Sequence, residues 1–405
     1  MCSAEIITIG NELLSGKTID SNSAYIGRQF ARIGISVIYK SALPDDNRKI
    51  ISSVKQAWVR SSIIVISGGL GPTIDDITKK AVSGALGLNL VYDSKIEKHI
   101  RSLFIKLRRK MPEVNLNQAY KPAGSKILEN SWGTAPGLYI KKRNKRLFMI
   151  PGVPVEAINI VKHRIVPILS RELNLQKINN EEINIFGIGE SRVQQILKDF
   201  IIPKGITLAF LPSLGSVKLR LTGNMTKEKL KAISGIIKRK FRNNVYSTGD
   251  VSLELALGKV LKKAKYSIAV AESCTGGLLG STIVSVPGSS GYFSGGFITY
   301  SNRAKVKLLG VSQALIKKHG AVSIQVAEKM ALGAAKRLSS ECGIGITGVA
   351  GPSGGTREKP VGTVCIACCC KNKIVSKLFR FYGNRDMVRE RSVRTALFQI
   401  LSLFK

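Results

Sequence analysis

Three short apolar runs constrain this chain most: residues 5–9, 35–39 and 62–67 read as strands. Helical patterns separate them. One runs through Ala24, Ile26, Phe30 and Ile33 and is closed by Gly34; the other is opened by Pro44-Asp45-Asp46. A strand–helix–strand–helix–strand order implies a parallel sheet with helices on both faces. Ligands of such sheets bind beyond the carboxyl ends of the strands. Gly10-Asn11-Glu12 and Gly68-Gly69-Leu70-Gly71 lie at those ends. Glycines that admit a phosphate, with carboxylates that hold a divalent ion, would make a pyrophosphate site. The pair Asp75-Asp76 reads equally as an acidic helix start, and Asp20 as a helix cap.

A second stretch, residues 267–305, carries a different chemistry. Ser267-Ile268-Ala269-Val270-Ala271 reads as a buried strand that Glu272-Ser273-Cys274-Thr275 breaks. Gly276 and Gly277 then open a helical pattern through Leu278, Leu279, Ile283 and Val284. A hydroxyl at such a turn sits beside unpaired backbone N–H groups and the positive end of a helix dipole. That suits a serine nucleophile, an anion site or a plain helix cap. Residues 297–300 read as another strand, left by Ser301-Asn302-Arg303-Ala304-Lys305. The three histidines, His99, His163 and His319, sit beside no nucleophile signature. A lysine of lowered pKa can replace histidine as base, and a tyrosine such as Tyr300 can relay a proton or hold the lysine. The loop of residues 348–355 is glycine-rich enough for backbone to approach a phosphate, and reads otherwise as a surface turn.

The chain has 405 residues, which predicts two or three domains. Between the two stretches the texture changes to a small α+β unit. It comprises a strand near 183–185, a helix from Gly189-Glu190-Ser191 to about Phe200, alternating strands at 206–210 and 217–222, and a basic amphipathic helix over 227–241. Residues 244–250 read as a linker and 252–264 as a helix. No apolar run reaches the roughly 18 residues needed to span a bilayer, and no secretory signal is visible, so a soluble cytoplasmic protein without membrane partner is expected.

The seven cysteines, Cys2, Cys274, Cys342, Cys365, Cys368, Cys369 and Cys370, form no disulfide framework for so long a chain. The CxxC at 365–368 has no second CxxC or histidine pair, so these residues read as small apolar members of a buried strand, and Cys274 as a buried structural thiol. Lys and Arg number 63 against 26 Asp and Glu, a net charge of +37, with a pI near 10.1. The basic residues are scattered, aromatics are 6%, and no RNP-type, zinc-finger or KH motif appears. Salt-sensitive adsorption to polyanions is expected and specific nucleic-acid binding is not.

Longer motifs sharpen these readings. AESCTGG (271–277), YFSGGFITYSNRAK (292–305), HGAVS (319–323), TGVAGPSGG (347–355) and KPVGT (359–363) resemble the CinA C-terminal family, an α/β domain whose members include nicotinamide mononucleotide deamidases. The resemblance implies hydrolysis of the carboxamide to nicotinic acid mononucleotide and ammonia, without a metal. Ser273 would be the nucleophile, Lys305 its base and Tyr300 their orienting partner. Substrate contacts would fall to Thr275, Gly276, Gly277, Asn302, Thr347, Gly348, Gly351, Gly354 and Arg385. The family has Gly-Asp-Arg where this chain has Gly383-Asn384-Arg385.

GNELLSGKTIDSN (10–22), SGGLGPTIDDIT (67–78), GTAPG (133–137) and PGVPVE (151–156) are similar to the CinA N-terminal domain, of molybdopterin-binding-like (MoaB/MogA-type) fold. That resemblance implies a metal-dependent ADP-ribose pyrophosphatase giving AMP and ribose 5-phosphate. Glu12, Asp20 and Asp76 would hold a divalent ion (Mg, Mn or Co), and Gly69, Gly71, Thr73, Gly133, Thr134 and Gly152 would contact the nucleotide. The organisation expected is a MoaB/MogA-like parallel-sheet domain over 1–172, an α+β domain over 173–248 and an α/β amidase domain over 249–405, as a homodimer. Two other readings stand beside it: an amidase whose first domain only binds a nucleotide or pterin, and a basic DNA-associated protein of competence or damage response.

Overall fold

The computed structural model describes residues 3–174 and 178–405; Cys2 lies outside the described residues. The chain divides into two compact units, Met1–Asn179 and Asn180–Lys405.

The first unit is built on β1 (Ser3–Ile9), β2 (Ser36–Leu43) and β3 (Ile63–Ser67), as the apolar runs predict. A short antiparallel pair, β4 (Leu90–Tyr92) and β5 (Tyr120–Pro122), stands apart from β6 (Lys126–Leu128), β7 (Gly137–Lys142) and β8 (Lys145–Ile150). The main sheet runs β2-β1-β3-β8-β7-β6. β1 is parallel to β2 and β3, and β3 to β8, while β7 is antiparallel to both its neighbours. Side chains alternate across the sheet. Ile6, Ile63 and Val65 face one core, and Ile7, Ile64 and Ile66 the other. Both faces are therefore covered, and the central strands read as unbroken apolar runs. Asp20 caps the helix Ser21–Arg32 and Asp46 caps Asn47–Arg60, each carboxylate accepting a first-turn N–H. These caps set where the chain turns back into helix after the carboxyl ends of β1 and β2.

The second unit begins with β9 (Asn179–Phe186), β10 (Ile206–Ser213), β11 (Ser216–Gly223) and β12 (Val245–Thr248), in the order β10-β11-β9-β12. Residues 244–250 are thus not a plain linker: Val245–Thr248 pairs antiparallel with β9. Two β-branched residues and a tyrosine among four make a strand there despite the polar surroundings.

The unit continues with β13 (Ile268–Glu272), β14 (Phe293–Ile298), β15 (Cys342–Gly348), β16 (Thr363–Cys370) and β17 (Lys373–Arg380), in the order β14-β13-β15-β16-β17. β14 ends at Ile298, so Thr299 and Tyr300 lie beyond the strand rather than within it. Every residue of β16 is buried, as its apolar reading requires. The helix Ile324–Arg337 lies so close to the sheet that a Cβ on Gly343 or Gly345 would strike its backbone at Ala331 or Ala327. Only small residues fit that interface, which is why Cys365, Ala367 and Cys369 face Ala327 and Ala331 there. Cys342 and Cys370 stand directly opposite each other on β15 and β16 and are joined as a disulfide, a single bridge among the described residues. Cys274, Cys365, Cys368 and Cys369 are free and buried. No helix among the described residues is long and apolar enough to cross a membrane.

Candidate functional site

β13 delivers Glu272 and Ser273 to the mouth of the C-terminal sheet, between the ends of its parallel neighbours β14 and β15. The buried Glu272 carboxylate accepts the N–H groups of Gly277 and Leu279 at 3.0 Å and of Gly280 at 2.8 Å. It caps the start of the helix Leu278–Val284 and locks the turn that carries Ser273. Gly276 and Gly277 adopt left-handed φ of 59° and 95° within this turn. Ser273 is therefore not the cap: a neighbouring carboxylate does that job and leaves the hydroxyl free. Glu272 carried no signal in the sequence beyond ending an apolar run.

Lys305 lies in the helix Asn302–Leu309, which Ser301 caps. Its side chain is 1% exposed. The Nζ stands 3.1 Å from Ser273 Oγ, 2.8 Å from the carbonyl of Thr299 and 3.5 Å from that of Tyr300. No carboxylate among the described residues pairs with it, and burial pushes its pKa below that of an ordinary lysine. Ser273 is 7% exposed. Cys274, beside it, is pushed up to about 12 by burial, so it stays a thiol.

Tyr300 is placed differently from the expected orienting partner. It is 63% exposed, and its hydroxyl accepts from Arg385 Nη2 at 3.3 Å. The phenol reaches neither Ser273 nor Lys305. The strand ends two residues earlier, which turns the side chain outward and leaves the main-chain carbonyls of Thr299 and Tyr300 to orient the amine. Arg385 also donates to the carbonyl of Gly351 at 2.7 Å, tying the glycine-rich loop to the helix Arg385–Ser402. Asn384 caps that helix, its Oδ1 accepting the N–H of Met387 at 2.9 Å. Arg389, one turn on, donates to the carbonyl of Thr275 at 3.0 Å.

The other candidate residues divide. Thr275 is fully buried and its Oγ1 has no hydrogen-bond partner among the described residues. Thr347 is buried, with its hydroxyl donating to the carbonyl of Ala321 at 2.8 Å, so it anchors the 319–323 segment. Asn302 is exposed at the first turn of its helix. Gly348 packs where a Cβ would strike Thr363 and Val364; in the same loop Gly351 is buried against Val361 and Gly354 is exposed. The main-chain N–H groups of Cys274 and Thr275 have no main-chain acceptor among the described residues. That leaves two donors at the turn beside the Ser273 hydroxyl.

In the first unit a cavity of about 480 Å³ opens at the carboxyl ends of β1, β3 and β8. Gly69, Gly71, Thr134 and Gly152 line it, with Glu12, Asp45, Asp75, Asp76 and Glu156. Asp45 and Glu156 are pushed up from the usual carboxylate range by burial, Asp45 also by the neighbouring negative charges. Asp20 is not among these lining residues: its carboxylate accepts from Ser23 N and Thr8 Oγ1. Thr73 lies behind Asp76, donating N–H and hydroxyl to its Oδ2 at 2.8 and 2.6 Å. Gly133 sits against Glu156 without room for a side chain. No three of the described His, Cys, Asp or Glu residues converge as ligands for one metal. The carboxylates ring the cavity without forming a cage.

Comparison with known proteins matches the chain along its length. Residues 5–171 match the probable molybdopterin binding domain, 180–247 the damage-inducible protein CinA KH domain and 250–404 the CinA C-terminal domain. The middle match corrects the sequence reading, in which no KH motif appears. Residues 180–247 contain no GxxG, the tetrapeptide with which KH domains clamp a nucleic-acid backbone. A competence-damage inducible protein of Caldicellulosiruptor bescii is 39% identical over 400 residues, covering 97% of both chains. One of Halothermothrix orenii is 39% identical over 409 residues, covering 99% of this chain and 98% of its own. A solved CinA superfamily protein from Escherichia coli is 38% identical over 37% of this chain and 88% of its own, with a TM-score of 0.37. Identity of this extent over the whole length places the chain in the CinA family of competence/damage-inducible proteins.

Proposed function

We propose that the C-terminal sheet domain is a metal-independent amidase that hydrolyses the carboxamide of nicotinamide mononucleotide to nicotinic acid mononucleotide and ammonia. The 3.1 Å approach of a buried, carboxylate-free lysine to a serine hydroxyl carries the reading. The neutral Lys305 amine takes the hydroxyl proton as Ser273 Oγ attacks the amide carbon. The N–H groups of Cys274 and Thr275 supply donors toward the tetrahedral oxyanion, the first in the position used by nucleophile elbows. Protonated Lys305 returns the proton to the leaving nitrogen, and ammonia departs as the acyl-serine forms. A water, deprotonated by the same amine, cleaves the ester and regenerates both groups. Arg385 and the 348–355 loop offer the phosphate a cation and flexible backbone. Ammonia release from nicotinamide mononucleotide tests the reading.

For the first unit we propose hydrolysis of ADP-ribose to AMP and ribose 5-phosphate, with a divalent ion as the resemblance implies. Five carboxylates around one glycine-lined cavity favour it over a cavity that merely binds a nucleotide or pterin. Turnover of ADP-ribose with and without added Mg, Mn or Co tests it. The proposal includes a cytoplasmic homodimer, checked by light scattering of the full chain. It assigns no role to specific DNA binding, since the basic residues are scattered rather than gathered into one patch.

A further inference from the structure

A second cavity, of about 710 Å³, opens within the C-terminal unit and shares no lining residue with the Ser273 site. Its volume is that of a small-molecule site. Phe186, Phe379, Phe381 and Phe398 line it. Phe379 and Phe381 stack with centroids 5.5 Å apart, and the Phe186 and Phe398 rings lie 4.9 Å apart. The turn between β10 and β11 forms part of the rim.

Against these apolar walls stands a polar stripe on one face of the helix Arg385–Ser402: Arg391, Thr395 and Gln399, spaced four residues apart. Neighbouring arginines on this helix are engaged: Arg389 with Asp386 and the Thr275 carbonyl, Arg394 with Glu390 and with Ser213 and Ser216. Arg391 makes no ion pair or hydrogen bond among the described residues, and its Nε is sealed from solvent without an acceptor. The Oε1 of Gln399 is likewise unpaired, although its Nε2 donates to the carbonyls of Ile366 and Val375. Burying such groups without partners is costly unless something else meets them. Lys377 adds a second positive charge to the lining and Glu190 the one negative.

We propose that this cavity binds a small planar aromatic anion, its ring against the phenyl walls and its charge on Arg391. An uncharged apolar ligand would leave Arg391 without a counterpart. A bare phosphate would leave four phenyl rings in water. The proposal is independent of the amidase reading.

The test uses the full chain and two dyes. One is 1-anilinonaphthalene-8-sulfonate, an aromatic anion; the other is its uncharged counterpart N-phenyl-1-naphthylamine. Titrations are run at about 0.3 M salt, where exposed lysines and arginines are screened. One saturable sulfonate-dye site per chain is expected. Arg391→Gln should weaken the anionic dye about tenfold, as loss of one charge-assisted contact does, and leave the neutral dye within about twofold. Arg391→Lys should restore most of the anionic binding, and Phe379→Ala should weaken both dyes. Circular dichroism confirms the fold of each variant, and the Arg391 pair decides alone if Phe379→Ala does not fold. No saturable binding, an Arg391→Gln variant that binds the anionic dye as tightly as the parent, or equal losses for both dyes in that variant would overturn the proposal.

Discussion

The hydroxyl of Tyr300 accepts a hydrogen bond from Arg385 at 3.3 Å, although the two residues are 85 positions apart in the chain. The phenol thus belongs to the outer, arginine-bearing side of the site, while the residue's own carbonyl faces the Lys305 amine at 3.5 Å. Tyr300→Phe keeps that carbonyl. Steady-state kinetics of ammonia release should show kcat within about fivefold of the parent, because no proton-transfer contact is lost. Arg385→Ala should instead raise KM for the mononucleotide by about tenfold or more. A thousandfold fall of kcat in Tyr300→Phe would show that the phenol takes part in the chemistry.

The pH dependence follows from the buried amine. Burial lowers the Lys305 pKa below the ordinary value of 10.5, so the folded chain holds the neutral form over a window in which the unfolded chain is protonated. In that window the unfolded state binds the extra proton, and stability rises with pH. Below the folded pKa the cost of a buried ammonium is paid in full. The amidase rate should rise with pH through an ionisation below 10.5. Denaturation midpoints of the parent, minus those of Lys305→Met, should climb across the same window; a flat difference would contradict the assignment of that ionisation to Lys305.

Glu272 is the mechanical support of the turn that carries Ser273. Its carboxylate holds three backbone N–H groups from within the core. Glu272→Gln replaces charge-assisted bonds with neutral ones and places an NH2 among donors. A loss of about 1–3 kcal/mol in denaturant unfolding is expected, with amidase activity falling as Ser273 loses its fixed position. Unchanged stability would mean the turn holds itself.

In the first unit, Asp76 accepts both donors of Thr73 and lines the cavity. Asp76→Ala should abolish metal-stimulated ADP-ribose hydrolysis while the amidase of the other unit persists. Turnover that needs no added metal would remove the divalent-ion proposal.

Much of this was legible in the sequence for a physical reason. Apolar runs bounded by glycine announce buried parallel strands, and the resemblance of the motifs around Ser273 and Lys305 to one family, rather than their spacing, is what implies a shared site. Four things were not legible. A strand end is uncertain by a residue or two, and at β14 that shift decided whether the Tyr300 phenol or its carbonyl meets the lysine. Glu272 looked like a strand breaker because its three partners are backbone groups, which leave no trace in side-chain pattern. Val245–Thr248 joins β9 across more than fifty residues, a pairing that local polarity conceals. The cavity beside Arg391 likewise gathers its aromatic walls from residues 186, 379, 381 and 398, which no window along the chain brings together.

The central claim is that a hydroxyl at 273 and an amine at 305 form one catalytic pair. Its most direct test is ammonia release from nicotinamide mononucleotide by the parent and by folded Ser273→Ala. The account predicts a fall of at least about a thousandfold, with no covalent acyl intermediate on the variant. A Ser273→Ala protein that releases ammonia at the parent rate would contradict it.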